Sequence, residues 1–171
     1  ADSPYCYRCP AGCNSSTCNA ECMDSLKKIL EEKNENIAGC IFEPMVQGAS
    51  GMRVYPDKVL RRIFDLCSEY NIITIADEVA MGFGRTGKMF ACDHAGRIPD
   101  IMCLAKGLTG GYLPLSATVV KDFIFHEFSG DYRSGKIFNH GHTFTGNPLA
   151  AAAACASIEL ITSYNIPASM Q

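Results

Sequence analysis

No block of lysine and arginine runs through this sequence, and 15 basic against 18 acidic residues leave a formal charge of −3. That balance gives no positive field for nucleic acid or for an anionic membrane surface. No apolar stretch approaches the ~20 residues needed to span a bilayer. Ala1-Asp2-Ser3-Pro4 has neither the basic nor the apolar region of a signal peptide. The expectation is a soluble, cytoplasmic protein working on small molecules. No internal repeat is present, and 171 residues at 47% hydrophobic content suffice for one domain with a proper core.

Cysteine, by contrast, is plentiful at ten residues. Cys40, Cys67, Cys92, Cys103 and Cys155 are scattered through apolar segments, where the thiol behaves as a small core residue. Cys6, Cys9, Cys13, Cys18 and Cys22 crowd into residues 1–22 among Pro, Gly, Asn and Ser, a composition that favours irregular backbone, a loop or an arm. Cys6 and Cys9 have the spacing of half a zinc or iron–sulfur ligand set. With no second C-x-x-C and no nearby His, free thiols or opportunistic disulfides are expected, and no metal is assigned.

From Met23 the pattern becomes regular. Leu26, Ile29 and Leu30 against Lys27, Lys28, Glu31 and Glu32 predict a helix over 23–33, and Ile37 to Phe42 predicts a strand ending at Glu43-Pro44. Pro56-Asp57 opens an amphipathic helix that buries Val59, Leu60, Ile63, Phe64, Leu66 and Cys67 and stops near Asn71. Ile72 to Ala76 and Ile101 to Ala105 are short apolar runs, which read as strands covered on both faces. Leu115 to Val120 reads as a further strand, Asp122 to Phe128 as a short helix and Pro148 to Ile161 as an Ala-rich helix. The alternation of strand, helix and strand predicts an α/β fold with a mostly parallel sheet and flanking helices.

The chemistry sits where the two apolar runs stop, at Asp77-Glu78 and at Lys106-Gly107. Carboxyl ends of neighbouring strands form the ligand crevice of open α/β sheets. An amine there can join an aldehyde, and a carboxylate can face a ring nitrogen and keep it protonated; the pairing points to pyridoxal phosphate. Lys106 is expected to be partly desolvated, which frees its lone pair, and Gly107, Gly110 and Gly111 read as leaving room for a ring. Asp77 could equally cap a turn. Glu78, pointing the opposite way in extended backbone, reads as a structural partner. Gly82 to Gly87 matches G-x-G-x-x-G, but two acids precede it and no helix opens after it, so a dinucleotide site is rejected. Hydroxyls and amides between His140 and Pro148 could take phosphate oxygens at a helix start, or Asn147 or Thr145 could cap that helix.

Four ordered segments, Glu43 to Gly48, Asp77 to Gly87, Ala105 to Gly111 and Gly141 to Pro148, together resemble the class III, fold type I aminotransferases. The resemblance runs from about Ser3 to Ile161. It implies the central part of a pyridoxal-phosphate-dependent transferase large domain: residues 1–22 as a Cys-rich arm and 23–171 as a partial cofactor-binding domain, without its N-terminal part and C-terminal small domain. It implies that Lys106 bonds to the cofactor and moves a proton, that Asp77 pairs with the ring nitrogen, and that Val79 packs on the ring face. Thr143 would reach the phosphate held by the neighbouring subunit of a homodimer, with Glu43 and Gln47 near the site. Ala80, the run Gly110 to Thr118, and Tyr7-Arg8-Cys9-Pro10 are similar to the branch that aminates 8-amino-7-oxononanoate in biotin biosynthesis, usually with S-adenosylmethionine as donor. Another class III transaminase, of ω-amino acid or ornithine type, and a non-catalytic dimerising or metal-binding piece stay open. The isolated chain is expected to be nearly inactive.

Overall fold

The computed structural model describes residues 1–14 and 16–170. Its main sheet has four strands: β1 (Gly39–Phe42), β4 (Ile73–Asp77), β5 (Ile101–Leu104) and β6 (Ala117–Val120), adjacent in that order. The first three run parallel, and β6 pairs antiparallel with β5. A separate antiparallel pair, β2 (Val46–Gln47) with β3 (Arg53–Val54), lies between β1 and the helix that leads to β4. The alternating pattern in the sequence is therefore realised as a mostly parallel sheet. The reversed edge strand and the small hairpin are additions to it.

Helix α1 (Asp24–Lys33) buries Leu26 and Leu30, and α2 (Asp57–Glu69) buries all six of its apolar-face residues. Pro56 precedes α2 with extended backbone, compatible with its fixed φ, and Asn71 ends the segment in the left-handed region at φ +55°. Val59, Leu60 and Leu66 are fully buried. Each such side chain contributes about 1.5–3 kcal/mol of burial free energy. The same core takes in Cys18, Ala20 and Met23, so the irregular N-terminal segment packs directly on the two helices.

Register shows which face of the sheet this core covers. Phe42, Ala76 and Met102 form one row across β1, β4 and β5. Phe42 meets Phe64 of α2 edge-on at 5.3 Å, while Met102 packs against a second cluster of Phe83, Leu104 and Leu108 with Ala154 and Ile161 from α4 (Pro148–Ser163). The alternate row, Ile41, Ile75 and Ile101, looks the other way, and Ile41 is 68% exposed. In the two strands expected to be covered on both faces, Ile75 and Ile101 are half-buried, so among the described residues this face has partial cover. Two short helices, α3 (Asp122–Glu127) and α5 (Ile166–Ser169), complete the elements.

The amino ends of β4 and β5 are locked by a polar knot. Asp100 Oδ2 accepts from the Thr74 amide at 2.8 Å and hydroxyl at 2.7 Å, and Lys121 reaches Oδ1 at 2.8 Å. Burial alone would raise the Asp100 carboxyl, but Lys121 and Thr74 outweigh it and hold it below the usual range.

Candidate active site

With their amino ends tied, β4 and β5 deliver their carboxyl ends side by side. Asp77 is the register partner of Cys103, three positions before Lys106. Asp77 has the parity of Ile75, so it projects on the sparsely covered face, and Glu78 projects into the core. Asp77 and Lys106 line one cavity of about 430 Å³ together with Glu43, Gly48, Ala49 and Val79. The amine and the acid read from the two strand ends thus share a single space.

Each is held by local structure. Asp77 Oδ1 accepts from the Val79 amide at 3.0 Å, which fixes the turn after β4, and Oδ2 has no hydrogen-bond partner among the described residues. Capping and projection into the cavity are both true of this side chain. Lys106 adopts φ +45° in the left-handed region, a strained conformation for a residue with a Cβ. The neighbouring Gly107 explains why the strain persists. A Cβ there would lie 2.9 Å from Phe83 Cβ, and Ser157 Oγ donates to the Gly107 carbonyl at 3.1 Å.

One expectation is corrected by this geometry, while the lack of a Cβ at Gly107 also admits a close contact with Phe83. Lys106 is exposed, so the predicted desolvation is not supplied by this chain.

Glu43, at the end of β1, lines the cavity, but its carboxylate accepts from the Gly48 amide and its carbonyl accepts from the Tyr55 hydroxyl at 2.6 Å. It holds the β2–β3 turn that forms the opposite wall. Gln47 is buried and bridges to the arm, accepting from Ser3 Oγ at 2.6 Å and donating to the Pro4 carbonyl at 3.1 Å. Thr143 is exposed and is not among the cavity-lining residues. Thr145 accepts from the His142 amide at 2.8 Å, and Asn147 caps α4 through the Leu149 amide at 3.0 Å. Capping is therefore the observed role of Asn147.

Glu78 is fully buried and accepts from the Ala91 and Cys92 amides at 3.0 and 2.8 Å. Burial pushes its carboxyl up, against the opposing pull of those two donors. Glu78 thus has the structural role read from its orientation, tying β4 to the turn at Ala91 and Cys92. Glu78→Gln keeps the shape but turns an NH2 toward one of the two amides. We expect a loss of about 1–3 kcal/mol in stability from the donor left unpaired. A urea or thermal unfolding curve checks this, and an unchanged midpoint would refute it.

Three contributors to the site escaped sequence reasoning. The two-residue strands of the hairpin are too short for any periodicity to register. Tyr55, only 2% exposed, reads locally as just another aromatic before a proline. Arg85 lines the cavity with no hydrogen-bond or ion-pair partner among the described residues, and neither the glycine spacing around it nor the family resemblance gives it a role.

The sequence profile described as Aminotransferase class-III matches residues 3–171. An adenosylmethionine-8-amino-7-oxononanoate aminotransferase from Geobacter sulfurreducens is 51% identical over 164 residues, covering 95% of this chain and 36% of that relative. The protein of the same name from Methanocaldococcus jannaschii is 42% identical over 182 residues, covering all of this chain and 40% of the relative. The crystal structure of that aminotransferase from Methanocaldococcus jannaschii superposes with a TM-score of 0.83 at 43% identity, over 88% of this chain and 35% of the other. An amine transaminase from an uncultivated Pseudomonas species, in its PLP-bound form, gives 0.87 at 39% identity, over 98% of this chain and 38% of the other. The chain thus spans about a third of the length of the curated relatives it matches.

Proposed function

This chain belongs to the class-III aminotransferase family, and from that premise we propose that it is the central large-domain portion of a pyridoxal-phosphate enzyme that converts 8-amino-7-oxononanoate to 7,8-diaminononanoate in biotin biosynthesis. The observation that carries the reading is the shared cavity of Asp77 and Lys106. The substrate assignment is supported by the names of the curated relatives at 42–51% identity.

The residues present fit the cofactor. An amine and a carboxylate oxygen, neither with a hydrogen-bond partner among the described residues, face one space from adjacent strand ends, as a ring with an aldehyde and a basic nitrogen requires. Bound pyridoxal phosphate would supply an aldehyde carbon for amine exchange and a ring that accepts electrons. Lys106 would bond to that carbon at rest. Displaced by the donor amine, its free Nζ would take the proton from the substrate α-carbon and return it one position away. Asp77 Oδ2 would hold the ring nitrogen in its protonated state. Val79 would pack on the ring face, and Glu43 would keep the opposing turn in place.

In this reading the amino donor is S-adenosylmethionine and the working unit is a cytoplasmic homodimer. Thr143, exposed and outside its own cavity, would contact the phosphate held by the partner subunit. No helix among the described residues is long and apolar enough to cross a membrane. The Cys-rich segment 1–22 is the arm of this domain.

A second reading, a class III transaminase with another acceptor, is favoured by the TM-score of 0.87 to the amine transaminase. Assay of the complete enzyme with 8-amino-7-oxononanoate and a panel of donors separates the two. Amination of that acceptor with S-adenosylmethionine is expected. Turnover only with other acceptors would overturn the substrate assignment and keep the family chemistry.

A further inference from the structure

Ala150, Ala154 and Ile161 mark the buried stripe of α4, and Ser157 falls on that stripe at helical spacing. A hydroxyl among apolar neighbours needs a partner. Helical Ser and Thr often bond back to their own helix, as Thr162 does to the Ile158 carbonyl at 2.8 Å. Ser157 does not. Its Oγ leaves α4 and donates to the Gly107 carbonyl, 50 positions earlier, at 3.1 Å.

That carbonyl belongs to the turn that carries Lys106. Lys106–Thr109 is a single 3-10 turn, closed by the Gly110 amide on the same Gly107 carbonyl at 3.0 Å and ended by Gly110 at φ +60°. The Gly107 oxygen therefore accepts twice, once from inside the turn and once from α4. Among the described residues no other side chain from a separate element hydrogen-bonds to residues 106–110. Phe83 supplies the second contact on the turn. Its backbone is also left-handed, at φ +60°, and its ring is met by Phe90 at 5.8 Å close to edge-on. Two residues with side chains in left-handed backbone, Phe83 and Lys106, thus lie against each other through Gly107. Such backbone persists only where its surroundings over-determine it.

We propose that Ser157 is a positioning residue for amine transfer: by holding the Gly107 carbonyl it keeps Lys106 left-handed, with its amine in the cavity shared with Asp77. The inference rests on the reading of Lys106 as the amine that bonds to the cofactor and moves the proton. Ser157 does not line the cavity, so it acts only through Lys106. An L residue released from the left-handed region falls back to negative φ, which redirects its Cα–Cβ bond. The amine must take a proton at one atom and return it at another, and a displacement of about 1 Å costs up to about 10²-fold in rate.

Ser157→Ala and Ser157→Thr in the complete enzyme test this. Alanine removes the hydroxyl, fits the apolar stripe and is a strong helix former, so α4 is retained. Threonine restores the donor. For Ser157→Ala the expected kcat is lower by about tenfold or more, with KM for donor and acceptor within about twofold and the unfolding midpoint preserved. Hydrogen exchange without substrate gives a second readout. The amides of residues 107–110 should exchange about fivefold faster, the size of one lost hydrogen bond, while those of α4 keep their rates. Ser157→Thr should recover both values. A smaller loss of kcat, a rise in KM in its place, unchanged exchange in the turn, a lowered unfolding midpoint, or no recovery with threonine would each overturn the inference. The reading it rests on is tested separately, by which lysine of the unaltered enzyme borohydride labels in the presence of pyridoxal phosphate. Labelled Lys106 with a fully active Ser157→Ala enzyme sinks this inference alone, and a different labelled lysine sinks the reading itself.

Discussion

Lys106→Ala is expected to lower turnover of the complete enzyme by about 10²–10⁴-fold or more, the range contributed by a positioned proton-transfer group. The lining of the cavity contains no other lysine. Elsewhere Lys58, Lys88, Lys121 and Lys136 are committed to partners outside it. No neighbour can therefore substitute. Stability should hardly change, because the side chain is exposed and alanine meets the same backbone strain at φ +45° as lysine does. A rate loss with unfolding midpoint preserved separates a chemical role from a structural one, and an active Lys106→Ala enzyme would contradict the role assigned to this amine.

Asp77→Asn tests the other end of the pair. The asparagine oxygen can still accept from the Val79 amide, so the turn after β4 survives and a capping role alone predicts an unchanged rate. Loss of the negative charge is different. It removes what keeps a ring nitrogen protonated, and losses of one pre-set electrostatic partner run at about 10²–10³ in turnover. We expect a decrease of that size in kcat, with a stability change under about 1 kcal/mol. An Asp77→Asn enzyme with full turnover would reduce Asp77 to a turn cap.

Local patterns and distant contacts differ in how far a sequence reveals them. Helix α2 was legible because six apolar side chains recur at helical spacing and all six are buried. The parallel strands were legible because β4 and β5 are apolar runs with a polar residue at each carboxyl end. Periodicity and strand-end chemistry are local, so they survive translation into text. The reasons for particular residues were less visible where the cause is a distant contact. Gly107 is fixed by Phe83, 24 positions earlier, and Gly48 and Ala49 reach the cavity through a hairpin with two residues per strand. Lys106 illustrates both sides. Its position at a strand end was readable, but its exposure was not, because that depends on which surfaces other parts of the polypeptide cover.

The most direct measurement of the central claim is borohydride reduction of the purified protein in the presence of pyridoxal phosphate, followed by peptide mapping. One pyridoxyl group on the peptide carrying Lys106 is the expected result, with no modification elsewhere. Labelling of a different lysine, or none at all in the folded enzyme, would contradict the assignment of this strand-end amine and its partner Asp77 as the two anchors of the cofactor.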